Sequence, residues 1–366
     1  MPDAKKPDPK KPAPKPTEPF VVKTFNEKVQ LCVARFSPCG KFVIGGGTMG
    51  GVFRWDAATD DFAELAPLSG HGGFVQCLAF NRSGKLLTAD SWGRLQAWNY
   101  ADAAPKPLWN VAAAHDGWVR EVVISPDGKT AASCGRDGFI RLWDVASGKP
   151  AGELPRQESD VFALAFSPDG KQLVSGDLFG RAILWDLAGK KIVGEFDAKA
   201  LAKVDRLQDV GGVRLLRFTP DGKQLLVGGT QPKNGGNVQG TPTVLTFEVA
   251  TGKAAPLTDF GSGYVYICDL QFMPDGGRAV VLSGNPGSGK FALYKPGEAK
   301  PYFESTKFAN CHSVDVHPAG KRLAVLGVNS NTSGNGRVKG KNGEMDYPSN
   351  WSPINIVELP DPNPTA

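Results

Sequence analysis

Residues 119–144 read VREVVISPDGKTAASCGRDGFIRLWD, and this stretch decides the fold. VREVVI (119–124) has the apolar pattern of a short strand with one buried face. SPDG (125–128) follows, where Pro126 presets φ and Gly128 accepts a positive φ, which is tight-turn chemistry. KTAASC (129–134) reads as a second apolar strand. IRLWD (140–144) reads as a third, ending on a tryptophan and an acid.

The same order recurs along the chain. Turns read FSPCGK (36–41), FNRSGK (80–85), ISPDGK (124–129), FSPDGK (166–171), FTPDGK (218–223), FMPDGG (272–277) and VHPAGK (316–321). Their glycines are spaced by 44, 44, 42, 52, 54 and 44 residues. Each turn follows a strand such as VQCLAF (75–80) or VFALAF (161–166). Each is answered by a third strand: FRWD (53–56), LQAWN (95–99), IRLWD (140–144), AILWD (182–186), VLTFE (244–248), FALYK (291–295) and INIVE (354–358). A short fourth strand follows in most repeats. Short strands at a period near 44 residues predict the blades of an all-β propeller.

At these residues the sequence resembles the WD40 repeat family over residues ~20–358, most clearly in repeats 1 to 4 and with degenerate repeats 5 to 7. The resemblance implies a structural hydrogen-bonding tetrad in repeat 3 formed by His115, Ser133, Asp137 and Trp143, with Asp144 completing the WD pair. Repeat 2 keeps His71, Thr88 and Trp98 but places Trp92 where the aspartate would be. Repeat 4 keeps Ser175 and Trp185 but places Phe179 there. The last repeat stops at its third strand, and PFVVKTF (19–25) is an unassigned strand at the start. The resemblance therefore implies a seven-bladed ring closed by the N-terminal strand. The expected domains are a Pro/Lys-rich disordered tail (1–18), the propeller (19–360) and a C-terminal tail (361–366).

Composition agrees with many short elements. Gly (45) and Pro (29) together make about a fifth of the 366 residues, a turn-rich proportion short of wholesale disorder. No apolar run approaches the ~20 residues of a membrane span, and the N-terminus has no apolar signal region. Cys32, Cys39, Cys77, Cys134, Cys268 and Cys311 are scattered with no CxxC pair, so reduced thiols in a cytoplasmic monomer are the expectation. A net charge of +5 is mild for a nucleic-acid binder. Weak contact through Arg337, Lys339 and Lys341 is the most that reading offers. The tail, rich in lysine and proline, reads as a solubilising linker, or as an extended segment whose PxxP spacings suit an SH3-like or acidic partner.

Three insertions lengthen the repeat: DAKALAKVDRLQD (197–209), with some helical character, TQPKNGGNVQGTP (230–242) and NSNTSGNGRVKGKNGEMDYPSNW (329–351). In a ring of this type all three fall on one face, here called upper, where loops carry specificity. Counting back ten and eight residues from each turn glycine gives the channel mouth. Phe74, Trp118, Arg120, Phe162, Arg214 and Tyr266 are the expected partner-binding residues there, since aromatic and arginine side chains are favoured anchors.

Signals of catalysis are thin. GNPGSGKF (284–291) approximates a phosphate-binding loop, but Phe291 replaces the hydroxyl residue and a strand follows instead of a helix. Cys32, Cys268 and His312 bring soft-metal chemistry to adjacent blades without close ligand spacing, and no metal is expected. Asp160, Asp177 and Asp209 are upper-face acids with no base aligned by sequence. The expectation is a non-enzymatic scaffold for a protein or peptide of unknown identity, with no cofactor, small-molecule substrate, membrane or nucleic acid as partner. The alternative is a propeller enzyme, hydrolase or lactonase-like, with its site at the channel mouth.

Overall fold

The computed structural model describes residues 18–205, 208–235, 238–255, 258–261, 263–284, 287–329, 338–339, 345–346 and 350–360. The expected tails fall outside this set, apart from Glu18. Seven four-stranded antiparallel sheets follow one another. We call their strands a to d. Blade 3 shows the pattern: Val119–Ile124, Thr130–Gly135, Ile140–Asp144 and Pro150–Leu154. The a strands of neighbouring blades touch each other, so a is innermost and lines a central channel.

The turn chemistry is realised as a repeated local structure. In blade 3 the N–H of Gly128 donates to the carbonyl of Ser125 at 2.8 Å, with Gly128 at φ 74°. A Cβ at that φ would strain the turn, so glycine is required. The Ser125 hydroxyl donates to Asp127 at 2.6 Å and locks the turn from the side chain.

The core is divided among the blade interfaces. Among the described residues there are seven buried apolar clusters, each joining two consecutive blades. Between blades 2 and 3, for example, Cys77, Leu87, Leu95 and Ala97 pack on Val119, Val122, Ala131 and Trp143. Both faces of each sheet are therefore buried near the axis, while outer strands carry the polar residues. Arg54 is the exception in kind. Fully buried in blade 1, it donates to the carbonyls of Ala66, Tyr100 and Asp102, the last two in blade 2.

The ring closes through the N-terminal strand. Phe20–Glu27 pairs antiparallel with Ser352–Glu358 as strand d of blade 7, from Phe20 opposite Glu358 to Glu27 opposite Ser352. It covers the outer edge of Ser352–Glu358 and gives blade 7 its fourth strand.

Two insertions differ from expectation. Residues 197–209 form a single 3-10 turn, Lys199–Leu201, and then a hairpin of Ala202–Asp205 with Gln208–Gly211. Residues 230–242 are a continuation of the ladder: strands b and c of blade 5, Gln224–Gly235 and Val238–Glu248, remain paired nearly to their tip. The two pack together, with Leu201 fully buried and the Lys203 ammonium donating to the Lys233 carbonyl at 3.2 Å. Backbone pairing thus overrides the glycine-rich composition and builds one projection on the upper face of blade 5. Of residues 329–351, only Val338–Lys339, paired with Met345–Asp346, and the closing residues are described. Arg337 and Lys341 lie outside the described residues, as do the side chains of Lys339 and Asp209.

Candidate protein-interaction site at the channel mouth

Hydrogen-bonded side chains hold the loops that surround the mouth. In blade 3 His115 Nδ1 lies 2.9 Å from Asp137, its Nε2 lies 2.7 Å from the Ser133 hydroxyl, and Trp143 Nε1 donates to Ser133 at 2.8 Å. Burial opposes ionisation of Asp137, but His115 and Arg141 hold its carboxyl well below the usual range.

Blades 2 and 4 build the same device from an aspartate two residues earlier. In blade 2 His71 contacts Asp90 at 2.9 Å and Thr88 at 2.6 Å, and Trp98 donates to Thr88. Burial raises the Asp90 carboxyl, but His71 and the N–H groups of Arg94 and Trp92 bring it down to about 2. In blade 4 Gln157 takes the histidine's place. It accepts from Ser175 at 2.6 Å and donates to Asp177 at 3.4 Å, while Trp185 donates to Ser175. Gln157 carries no charge, and burial pushes the Asp177 carboxyl up. The aromatics that stand at the expected aspartate positions therefore mark no loss of the tetrad.

Those aspartates also aim an aromatic outward. Asp90, Asp137 and Asp177 each accept the N–H two residues on, from Trp92, Phe139 and Phe179 at 3.0, 3.2 and 3.0 Å. This Asx-turn geometry places three aromatic residues on the upper loops of consecutive blades. Trp92 is 68% exposed.

Inside this row lies a second one. The rings of Phe74 and Trp118 meet edge to face at 5.7 Å. The Arg120 guanidinium sits 4.9 Å from Trp118 and 4.6 Å from Phe162, and that of Arg214 sits 3.6 Å over Phe162 from the other side. Arg120 also binds Asp160 at 3.1 Å. A β-bulge in strand a lies behind this contact. Pairing skips between Val119 and Glu121, between Val161 and Ala163, and between Val213 and Leu215. Arg120, Phe162 and Arg214 are the extra residues, re-aimed by the bulge. Phe74, Trp118, Arg120, Phe162 and Arg214 thus form one continuous chain across blades 2 to 5. Tyr266 is 40% exposed and, among the described residues, makes no ring contact with the chain.

Deeper in the channel lies a network that composition and spacing did not reveal. Asp269 binds Arg35 at 2.8 Å and Arg217 at 3.2 Å. Glu121 and Asp315 accept backbone N–H groups, and burial pushes both carboxyls up to about 6 despite nearby Arg217 and Arg35. The only sequence signal was a charge inside an apolar strand, as in VARF and VRLLRF.

The metal idea gains nothing. Among the described residues no group of three or more histidine, cysteine or acidic side chains stands together as a ligand set. His312 points its two nitrogens at the carbonyls of Asn310 and Leu31, each at 2.9 Å. Burial pushes the Cys32 and Cys268 thiols up to about 11. Of GNPGSGKF, residues 285–286 are outside the described set, and Gly289–Tyr294 is a strand with Phe291 fully buried. Among the described residues no helix is long and apolar enough to cross a membrane.

Ring, repeats and tetrads together define a WD40-type seven-bladed β-propeller, and the chain carries WD40 repeats in three places. The family model for the WD domain, G-beta repeat, matches residues 62–99, 107–144 and 148–186. Each match starts in or near strand d of one blade and ends with strand c of the next, so the sequence repeat bridges two blades. Among curated proteins the chain is similar to apoptotic protease-activating factor 1 of Rattus norvegicus, 37% identical over 94 residues, 24% of this chain and 7% of that protein. It is also similar to small ribosomal subunit protein RACK1y of Oryza sativa subsp. japonica, 37% identical over 83 residues, covering 22% and 24%. A third relative is nuclear distribution protein nudF of Emericella nidulans, 31% identical over 108 residues, covering 29% and 24%. The matched segments span a quarter or less of these relatives' own lengths.

Proposed function

We propose that the protein is an interaction platform that docks a protein or peptide on the upper face of blades 2 to 5. The observation that carries this reading is the continuous contact chain Phe74–Trp118–Arg120–Phe162–Arg214. It joins the residue types that dominate binding energy and stands beside the blade 5 projection. The ring holds these side chains rigidly, which lowers the ordering cost of binding. The relatives, a small ribosomal subunit protein among them, are compatible with a role inside assemblies.

The channel carboxylates favour a hydrolase only superficially. Asp269, Glu121 and Asp315 are each bonded to a guanidinium or a backbone N–H, which supports a structural use. The test is affinity capture with mass spectrometry, using wild type and a Trp118→Ala, Arg214→Ala double variant. Loss of partners from a variant with an unchanged circular dichroism spectrum supports the platform. Partners that persist unchanged place the binding face elsewhere.

A further inference from the structure

The charges at the mouth do not balance. Arg120 is neutralised by Asp160 at 3.1 Å, while its Nε is buried without a hydrogen-bond partner. Arg214 donates its Nε to the carbonyl of Gly211 at 2.9 Å and makes no ion pair with any described residue. Among the described side chains, two guanidiniums therefore contact one phenylalanine and Asp160 is the one carboxylate bonded to them, a local excess of one positive charge.

This imbalance bears on the partner and rests on the platform reading above. We propose that the mouth is built for a peptide that presents one carboxylate to Arg214, with apolar residues flanking it on Phe74 and Trp118. One carboxylate brings the cluster of Arg120, Arg214 and Asp160 to neutrality. A phosphate, carrying close to two charges, would leave a net negative cluster beside Asp160. A lysine would add a third cation. Phe162 excludes water from one side of the pairing, which strengthens a charge-assisted hydrogen bond. Gly211 ends the projecting hairpin of blade 5, and its carbonyl fixes the Arg214 fork, so the projection holds the guanidinium in place.

The experiment uses immobilised nonapeptide libraries whose central residue is Glu, Gln, Lys or phosphoserine and whose other positions are randomised over uncharged residues. The full chain should retain the Glu library roughly tenfold more tightly than the Gln library, the range of one charged hydrogen bond. Lys and phosphoserine should fall below Glu. Arg214→Leu should bring Glu and Gln to within about twofold while retention of the Gln library persists, and Arg214→Lys should restore part of the preference. Equal retention of Glu and Gln by wild type, or preference for phosphoserine, overturns the carboxylate assignment and leaves the platform standing. Failure to retain any library overturns both.

Discussion

Glu121, on the innermost strand of blade 3, accepts a hydrogen bond at 2.9 Å from the backbone N–H of Leu164, on the innermost strand of blade 4. Inner strands have one edge with no strand partner, and buried edge groups must be satisfied. The ring satisfies them with side chains from the preceding blade. Gln76 of blade 2 donates to Val119 of blade 3, and Arg217 of blade 5 to Leu270 of blade 6. Asp269 of blade 6 accepts from Val314 of blade 7, and Asp315 of blade 7 from Phe36 of blade 1. Arg35 reaches backward, donating to Ser313 and Val314. The channel charges thus join the blades in series.

Stability should depend on pH through this network. Glu121, facing Arg217, Asp269 and Arg35, and Asp315, facing Arg35 and Asp269, both titrate near 6 in the folded ring. Their carboxyls are raised above the unfolded values, so the folded state holds the extra protons. Stability falls as pH rises to about 6 and then levels, from about 3.8 for Asp315 and from about 4.5 for Glu121, by about 2 kcal/mol for Glu121. Asp90, lowered to about 2, acts in the opposite sense and withdraws its contribution as pH falls below about 4. Urea unfolding should show a maximum near about pH 4 that Glu121→Gln flattens on its alkaline side. A wild-type profile level from pH 4.5 to 7.5 contradicts this.

Asp90, rather than Trp92, completes the tetrad of blade 2. Asp90→Ala should cost about 1–3 kcal/mol by leaving His71 and three N–H groups, those of Gly72, Trp92 and Arg94, without their acceptor. Trp92→Ala, at an exposed side chain, should stay within about 0.5 kcal/mol. Equal losses in calorimetry would show that the tetrad has been assigned to the wrong residue.

Arg54 links blade 1 to blade 2 through the carbonyls of Tyr100 and Asp102 and holds that of Ala66 within its own blade. Arg54→Ala leaves the buried Tyr100 carbonyl unpaired and opens a cavity, so a loss of about 3–5 kcal/mol is expected. Arg54→Lys should recover little, because one ammonium cannot reproduce the guanidinium fork. Guanidinium chloride midpoints of the two variants decide this.

Strand Phe20–Glu27 is the clasp of the ring, with Phe25 packed 5.1 Å from Trp55 and 5.4 Å from Phe62. Deleting it through Glu27 bares the edge of Ser352–Glu358. Such a protein should melt lower and self-associate with rising concentration, as unpaired edges do. A monodisperse deletion variant with wild-type melting would mean that closure does not depend on this strand.

The sequence by itself determined the ring. Turn residues and alternating apolar positions act within a few residues of one another, so they can be read in order, and seven copies with an orphan strand at the start imply closure. The mouth was legible to the same extent, because equal spacing from each turn glycine puts Phe74, Trp118, Arg120, Phe162 and Arg214 on one level of the ring.

Only the tertiary structure decided which of these side chains touch and which polar groups pair. Strand a carries a bulge that no residue type announces, and it brings Arg120 and Arg214 to Phe162. Asp90 could take the tetrad role because a carboxylate is recognised by where its oxygens reach, not by its place in an alignment. Arg35, Arg217 and Asp269 come from blades 1, 5 and 6 and meet at the axis. Local patterning specifies a strand's faces, but a hydrogen bond across the channel depends on the closed ring that brings its two ends together.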